Sequence, residues 1–254
     1  MSFFKLRWVV TFLFSVTVSG CFEQNRDRPR LRLLCAAGMR EPVSELINEF
    51  ETETGVEVDV QFGGSGTLLA MMDQVEADLY LAADDGYIEE ASRRGFVLSR
   101  HRVGFQSPVL AWNSAKKIDV TSLADWVRKS ARSGMALPET SAIGKMTEEV
   151  LAVEGVREEM QPCAHFVTVY ELANAIQLGS VDSGIIWDNV AAQYKGVSVQ
   201  ELSELSGVVS AVEVAVLLSS SFPNSATDLA EFLSNDKIAR DSFEAHGLWR
   251  EEKP

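Results

Sequence analysis

Residues 31–83 read LRLLCAAGMREPVSELINEFETETGVEVDVQFGGSGTLLAMMDQVEADLYLAA, and this stretch carries the pattern that decides the fold. It opens with an apolar run, Leu31–Ala37, which predicts a buried strand. A helix is predicted next, because the apolar residues of Val43–Phe50 recur at helical spacing. Gly55 predicts the end of this helix, since glycine readily adopts the left-handed conformation of a helix cap. The alternation of apolar and polar residues in Val56–Phe62 then predicts a half-buried second strand.

A glycine-rich segment separates the second strand from the next helix. Gly63–Thr67 interrupts the strand, a helix is predicted from Leu68, and Asp78–Ala83 predicts a third, buried strand. Strands and helices that alternate in this order are typical of a parallel sheet covered by helices. A helix at Tyr87–Arg94 and a further strand, Pro108–Trp112, are predicted to complete this α/β unit.

A second α/β series follows residues 113–117, which we predict to be a linker. Its strands and helices are expected at 135–137, 145–153, 165–169, 171–178 and 183–187. A last apolar run, Val208–Leu218, precedes two closing helices and could return the chain to the first unit. We therefore predict two lobes, each a mostly parallel sheet flanked by helices. The first lobe is expected over 31–112, the second over 113–210, and the return to the first over 211–254.

The composition narrows the possible function classes. Hydrophobic residues make up 46% and charged residues 24% of the 254 residues, which is typical of a folded globular protein. Acidic residues outnumber basic ones by 37 to 23, which argues against nucleic-acid binding, because basic residues are needed against phosphates. The three histidines lie far apart and no nucleophile motif is complete, so neither a metal site nor an enzyme is predicted. No cofactor is expected.

The N-terminus resembles an export signal. Two cations, Lys5 and Arg7, precede an apolar run that is shorter than the roughly 20 residues of a membrane-spanning helix. Small residues then lead to Cys21, as in the bacterial lipobox, where the cysteine is lipidated and becomes the new N-terminus. We therefore predict a signal peptide at 1–20, a lipidated Cys21 and a tether at 21–30, which hold the mature protein at the outer side of a membrane. A buried core segment, or an ordinary cleavage site with a chance cysteine, are the alternatives.

The two remaining cysteines, Cys35 and Cys163, allow two interpretations. Each lies next to an apolar run, which favours two small buried thiols. In an exported protein they could instead form a disulfide.

Two turns between a strand end and a helix start indicate an anion site. One contains Gly38 and the other is Gly63–Thr67. Parallel sheets bind ligands at the carboxyl ends of their strands, where helix N-termini offer unpaired N–H groups and a positive dipole end. Ser65 adds a hydroxyl, and Arg40 adds a guanidinium suited to oxyanions. The alternatives are that the glycines serve only tight turns and that Arg40 faces solvent.

Several segments resemble those of a known family. They are LCAAGM (34–39), FGGSGTL (62–68), ADLYLAAD (77–84), IGK (143–145), VDSGIIW (181–187) and HG (246–247). These segments are similar to those of the molybdate-binding proteins of ABC importers, and the resemblance extends over nearly all of 30–247. It implies a two-lobed, type II periplasmic binding protein that closes over molybdate or tungstate and delivers it to a membrane permease.

The resemblance also implies a set of ligand-binding residues. In that family neutral donors hold the oxyanion: two serines and their N–H groups in the first lobe, and backbone N–H groups plus a tyrosine hydroxyl in the second. One serine matches Ser65, whereas the other falls at Gly38 and the tyrosine falls at Trp187. The backbone donors match Ile143, with Ala142 as the neighbouring alternative, and Val169. Because Arg40 could replace the lost hydroxyl, the expected ligand-binding residues are Gly38, Arg40, Ser65, Ile143, Val169 and Trp187.

The predicted function is that of a lipid-anchored, extracytoplasmic binding protein that carries molybdate or tungstate to an ABC permease. We expect a monomer without a metal ion of its own. The departures at Gly38 and Trp187 leave the ligand open, so sulfate, phosphate, a small organic anion and ferric ion are alternatives. A ligand sensor with the same fold is the other functional class. The sequence assigns no role to Tyr170 or Asp188, although both lie beside expected site residues.

Overall fold

The computed structural model describes residues 29–130 and 132–248. The strands are β1 Arg30–Ala36, β2 Glu57–Gly63, β3 Leu79–Ala82, β4 Val97–Gln106, β5 Pro108–Asn113, β6 Gly134–Ala136, β7 Ala164–Phe166, β8 Ser183–Trp187, β9 Val197–Gln200 and β10 Ser210–Leu217. The helices are α1 Arg40–Thr54, α2 Ser65–Met71, α3 Asp85–Arg93, α4 Leu123–Lys129, α5 Ala142–Val153, α6 Val169–Gln177, α7 Asp188–Ala192, α8 Pro223–Asn235 and α9 Lys237–Ala245. None of the helices in these two ranges is long and apolar enough to cross a membrane. The predicted signal peptide and lipidated Cys21 lie outside the described residues.

The first lobe is built on a five-stranded sheet with the strand order β2-β1-β3-β10-β4. β1 pairs in parallel with both β2 and β3, as the alternation of strands and helices predicts. β10 pairs antiparallel with both β3 and β4, so β10 alone runs against the other four strands and the predicted mostly parallel sheet is confirmed for this lobe. The return strand therefore lies in the first lobe.

Both faces of this sheet are covered, which explains the continuous apolar run of β1. Leu33 packs in a cluster with Phe50 of α1 and Leu229 of α8. Its neighbour Leu34 points to the opposite face and packs in a cluster with Leu68 of α2. Because successive side chains of a strand alternate between faces, a strand buried on both sides needs apolar residues at almost every position.

The second lobe is also built on strands that run mostly in one direction. Its three-stranded sheet has the order β8-β5-β9, and both pairings are antiparallel. β6 and β7 pair in parallel, and an isolated parallel bridge between Ser133 and Ser183 connects them to β8. β5 alone therefore runs against β6, β7, β8 and β9, and the expectation of a mostly parallel sheet is confirmed for this lobe. Hydrophobic patterning identifies a strand, but it carries no information about the strand's direction or partner.

The chain passes between the lobes at Ser107. The strand at Pro108–Trp112, which we predicted in the first lobe, pairs instead with β8 and β9 in the second. The N–H of Asp188 donates to the carbonyl oxygen of Ser107 at 2.9 Å, and the Asp188 carboxylate accepts from the N–H of Ser107 at 3.1 Å. Asp188 therefore joins the start of α7 to the crossover between the lobes.

Four elements are missing from the sequence prediction: β4, β9, α4 and α7. β4 is an edge strand in which Arg100 and Arg102 alternate with less polar residues, so no apolar run marks it. α7 has five residues, which is too short for a helical period to show.

Cys35 and Cys163 differ in their exposure to solvent. Cys35 is fully buried in β1, and burial raises the pKa of its thiol well above its usual range. Cys163 is exposed, so the expectation of two buried thiols is wrong for this residue. Both thiols are free, so the alternative disulfide is not formed in this structure.

Candidate ligand-binding site

A small cavity lies between the two lobes, at the carboxyl ends of β1 and β2 and just beyond β3. Its volume is about 10 Å³, close to the space that one water molecule needs. The first lobe lines it with Ala36, Ala37, Gly38, Gly63, Gly64, Ser65 and Ala83, and the second with Ser141, Ala142, Val169 and Trp187. This is the edge of a sheet at which α/β proteins bind their ligands.

Helix starts converge on the cavity from both lobes. Ala37 opens a short 3-10 helix, Ala37–Met39, and Ser65 is the first residue of α2. The second lobe contributes the starts of α5, α6 and α7. The first N–H groups of a helix have no partner within it and carry the positive end of the helix dipole. Because no lining residue is charged, the cavity offers an anion neutral donors alone.

Ser65 is the best oriented hydroxyl of the first lobe. It is 2% exposed, and its Oγ accepts a hydrogen bond from the N–H of Ala83 at 3.2 Å. Its own hydroxyl hydrogen is then left to donate to a ligand. The Tyr80 hydroxyl donates to the carbonyl oxygen of Ser65 at 2.8 Å and fixes the backbone there. Burial raises the pKa of Tyr80, so this donor stays protonated.

Gly38 lines the cavity and is packed by the second lobe. A β-carbon at this position would lie 3.3 Å from Val190, 3.6 Å from Val169 and 3.9 Å from Trp187. The side-chain amide of Asn189 donates to the Gly38 carbonyl oxygen at 3.4 Å. The missing side chain therefore makes room for the second lobe rather than leaving a gap.

The start of α5 supplies a hydroxyl that sequence reasoning missed. Ser141 is the N-cap of α5, is 4% exposed and lines the cavity, yet its side chain makes no capping hydrogen bond. Ala142 also lines the cavity, whereas Ile143 is fully buried and does not. Of the two alternatives for the backbone donor, Ala142 is therefore the one beside the cavity. The signal for Ser141 was a serine directly before a helix, the usual N-cap residue.

Val169 and Trp187 complete the second lobe's side of the cavity. Val169 is the first residue of α6, whose N-cap Thr168 forms a reciprocal capping box with Glu171. Trp187 is 1% exposed, and its ring forms one wall. The sequence placed both residues at the site, and the structure places both on the cavity lining.

Arg40 does not line the cavity. It is the first residue of α1, its side chain is exposed, and its guanidinium lies over the ring of Phe62 with 4.2 Å to the ring centroid. A cation stacked on an aromatic ring is stabilised without any ligand. The contact with Phe62 therefore explains the position of the Arg40 side chain without a ligand.

Tyr170 also lies outside the lining. Its hydroxyl donates to the Oε1 of Gln193, and its ring is tilted against that of Tyr194 with centroids 6.0 Å apart. Burial, with the nearby Glu41 carboxylate, raises the pKa of Tyr170. The hydroxyl is therefore a neutral group that ties α6 to the end of α7.

Comparisons with known proteins agree with this architecture. The family model for bacterial extracellular solute-binding proteins matches residues 31–248. A Haemophilus influenzae protein named "Putative binding protein" is 28% identical over 209 residues, which are 81% of this chain and 85% of the relative. Molybdate-binding protein ModA of Azotobacter vinelandii is 26% identical over 161 residues, 62% of each chain.

A solved structure with another ligand shares the fold. Iron-bound HitA from Pseudomonas aeruginosa superposes with a TM-score of 0.67 at 18% identity, covering 85% of this chain and 84% of that one. At this identity the likeness concerns the two-lobed fold alone. The match of the family model over almost the whole described chain, together with the cavity between two lobes, shows that this protein belongs to the bacterial extracellular solute-binding proteins.

Proposed function

We propose that the protein is an exported, lipid-anchored binding component of an ABC importer that captures molybdate or tungstate between its lobes. The observation that carries this proposal is the small, uncharged cavity between the lobes, at the convergence of helix N-termini. The 26% identical relative ModA, a molybdate-binding protein, supports the choice of ligand.

The donor set favours a fully ionised oxyanion. Ser65 and Ser141 can donate hydroxyl hydrogens, and the helix starts donate N–H groups. No carboxylate lines the cavity to accept a hydrogen bond from a protonated ligand. Hydrogen phosphate would therefore find no carboxylate to accept its proton, which favours a fully ionised oxyanion over it.

The same lining does not suit ferric ion. Hard cations prefer oxygen ligands, and carboxylates are prominent among them. The cavity lining contains no carboxylate, histidine or tyrosine. Within 29–130 and 132–248 no three His, Cys, Asp or Glu side chains come together in a group that could hold a metal ion.

The size of the cavity argues for a compact ligand. A space of about 10 Å³ holds about one water, so a tetrahedral anion needs only a slight separation of the lobes. A drug-sized organic molecule, for which pockets of about 300–1,000 Å³ are usual, would need a far larger opening. A tetrahedral anion enclosed by both lobes would then be delivered when a permease opens them.

A thermal-shift screen with molybdate, tungstate, sulfate, phosphate and ferric citrate tests the proposed ligand. A ligand that binds only the folded state adds about 2.7 kcal/mol at 100 times its dissociation constant, which raises the melting temperature measurably. We expect shifts with molybdate and tungstate and none with phosphate or ferric citrate. A shift with ferric citrate alone would overturn the choice of an oxyanion.

The anchor is tested separately. Replacing Cys21 with serine removes the sulfur that lipidation needs, so the Cys21→Ser protein should move from the membrane fraction to the soluble fraction. Identical membrane fractions for both proteins would contradict lipidation at Cys21.

A further inference from the structure

The lobes meet beside the cavity along a seam where backbone contacts backbone. The N–H of Gly66 donates to the carbonyl oxygen of Thr140 at 3.1 Å, and the N–H of Thr67 approaches the same oxygen at 3.5 Å. Gly66 and Thr67 belong to the first turn of α2 in the first lobe, whereas Thr140 lies between β6 and α5 in the second. These hydrogen bonds join the lobes, so they exist only while the lobes are closed.

At Gly64 and Gly66 the backbones of the two lobes lie too close together for a residue with a β-carbon. A β-carbon at Gly64 would lie 2.1 Å from the carbonyl oxygen of Thr140 and 3.1 Å from that of Val167. A β-carbon at Gly66 would lie 2.4 Å from the carbonyl oxygen of Glu139. The obstructing atoms are backbone atoms, which cannot rotate away as a flexible side chain would.

Neither glycine is needed for the conformation of its own backbone. Gly64 has φ −69° and ψ 142°, an extended conformation that any residue adopts. Gly66 lies in α2, where alanine is the better helix former. The requirement for glycine at both positions therefore comes from the opposite lobe.

We infer that Gly64 and Gly66 are positioning residues that set how far the lobes close. Without β-carbons, the start of α2 docks on Thr140, and this contact fixes the separation of Ser65 and Ser141 across the cavity. The Thr140 hydroxyl donates to the carbonyl oxygen of Val167 at 3.0 Å and holds the docking loop in place. The seam consists of protein groups alone, so its role in closure does not depend on which ligand is bound. The inference rests on the proposed function only for the statement that closure encloses the ligand.

The test measures lobe closure directly. Spin labels are attached to cysteines introduced by Gln74→Cys in the first lobe and Val153→Cys in the second, both at exposed positions. The full chain also carries Cys21→Ser and Cys163→Ser, which remove the other thiols open to labelling, since Cys35 is buried. The distance between the two labels is measured with and without molybdate in four labelled proteins. One has an unsubstituted seam, and the others carry Gly64→Ala, Gly66→Ala or the control Gly207→Ala. A β-carbon at Gly207 would meet nothing within 4 Å.

The unsubstituted seam and Gly207→Ala should show a short-distance population that Gly64→Ala and Gly66→Ala lack. The melting temperature of the ligand-free variants should stay unchanged, while their dissociation constant for molybdate rises about tenfold or more, because the closed state is less populated. A short-distance population retained by Gly66→Ala would overturn the inference, as would its absence from the unsubstituted protein under both conditions. A further outcome is that the labelled protein with an unsubstituted seam shows the short distance without binding molybdate, while Gly66→Ala lacks the short distance. In that case the inference stands and the proposed ligand fails.

Discussion

At the scale of single residues, the cavity is built from hydroxyl groups that the protein has left free to donate. Ser65 Oγ is oriented by the N–H of Ala83, and Ser141 stands at the N-cap of α5 without making a capping bond. A hydroxyl that does not cap its own helix is available to a ligand at the same helix start. The two serines face the cavity from opposite lobes, so both can bind only when the lobes are closed.

Ser141→Ala tests this second hydroxyl. Its removal should weaken molybdate binding by about 1.5–3 kcal/mol, the usual contribution of a hydrogen bond to a charged group, which is about ten- to a hundredfold in the dissociation constant. Stability should change little, because the side chain makes no capping bond to lose. Titration calorimetry together with a melting curve separates the two effects. Unchanged affinity would mean that the Ser141 hydroxyl does not reach the ligand.

Arg40→Ala is expected to leave molybdate affinity unchanged. The guanidinium stacks on Phe62 at the protein surface and is absent from the cavity lining. A small loss of stability, about 0.5–1 kcal/mol, should follow from the lost cation–π contact at an exposed site. A variant that binds molybdate tenfold more weakly would show that the cation acts on the ligand after all.

The residue scale shows what the sequence can and cannot reveal about a site. Gly38, Ser65, Val169 and Trp187 were expected at the ligand, and all four line the cavity. Ser141 was missed, because hydrophobic patterning gave the start of α5 three residues too late. Whether a polar residue such as Arg40 turns toward a cavity depends on local packing, which spacing along the chain does not determine.

At the scale of elements, the cavity is a meeting point of helix N-termini. The starts of α2, α5 and α6 were predicted two or three residues beyond their positions in the structure. The first turns of α2 and α5 contain small residues such as Ser65, Gly66, Ala142 and Gly144, which show no apolar period. Some residues assigned to loops are therefore the first residues of helices, whose N–H groups have no partner within the helix.

The start of α3 provides a test by pH. Asp84 caps this helix through the N–H of Gly86 at 3.0 Å and accepts from the Ser210 hydroxyl at 2.8 Å. Burial raises the pKa of Asp84 above its usual 3.8. The folded state then holds this proton more tightly than the unfolded state, so the contribution of Asp84 to stability falls as the pH rises from 3.8 through the raised pKa.

Asp84→Asn removes this titration and keeps a side chain that can cap the helix. The stability of Asp84→Asn relative to wild type should therefore increase as the pH rises from about 3.5 to 7. Urea titrations of both proteins at a series of pH values measure this difference in stability. The contributions of the other titrating groups are common to both proteins and cancel in the difference. A difference in stability that stays constant with pH would contradict a raised pKa for the buried Asp84 carboxyl.

The elements of the first lobe were more predictable than those of the second. The β1-α1-β2-α2-β3 series has buried strands and helices with a clear apolar face, so each element and its parallel pairing follow from the sequence. In the second lobe, β5 arrives through the single residue Ser107 and pairs antiparallel with β8 and β9. Those pairings depend on contacts between distant segments, which no local pattern encodes.

At the scale of the whole molecule, the proposed anion site lies in an acidic protein. The net charge is −14, so the protein as a whole repels the ligand that we propose. The attraction comes from N–H and hydroxyl groups enclosed between the lobes, where an unmade hydrogen bond is costly. At the crossover between the lobes, two hydrogen bonds join Ser107 to Asp188 at the start of α7.

This separation of global and local electrostatics predicts an unusual salt dependence. Salt screens the repulsion between the acidic surface and an incoming dianion, so the association rate constant for molybdate should rise between about 10 and 150 mM NaCl. Stopped-flow fluorescence can follow binding, because the ring of Trp187 lines the cavity. A rate constant that falls as salt is added would instead indicate steering by a local cation.

Titration calorimetry of molybdate into the wild-type protein and Ser65→Ala tests the central claim most directly. Wild type should bind one molybdate per chain and show no heat with hydrogen phosphate, and Ser65→Ala should bind about ten- to a hundredfold more weakly. Equal affinity in both proteins would place the ligand outside this cavity. Binding of phosphate in preference to molybdate would contradict recognition of a fully ionised oxyanion by neutral donors.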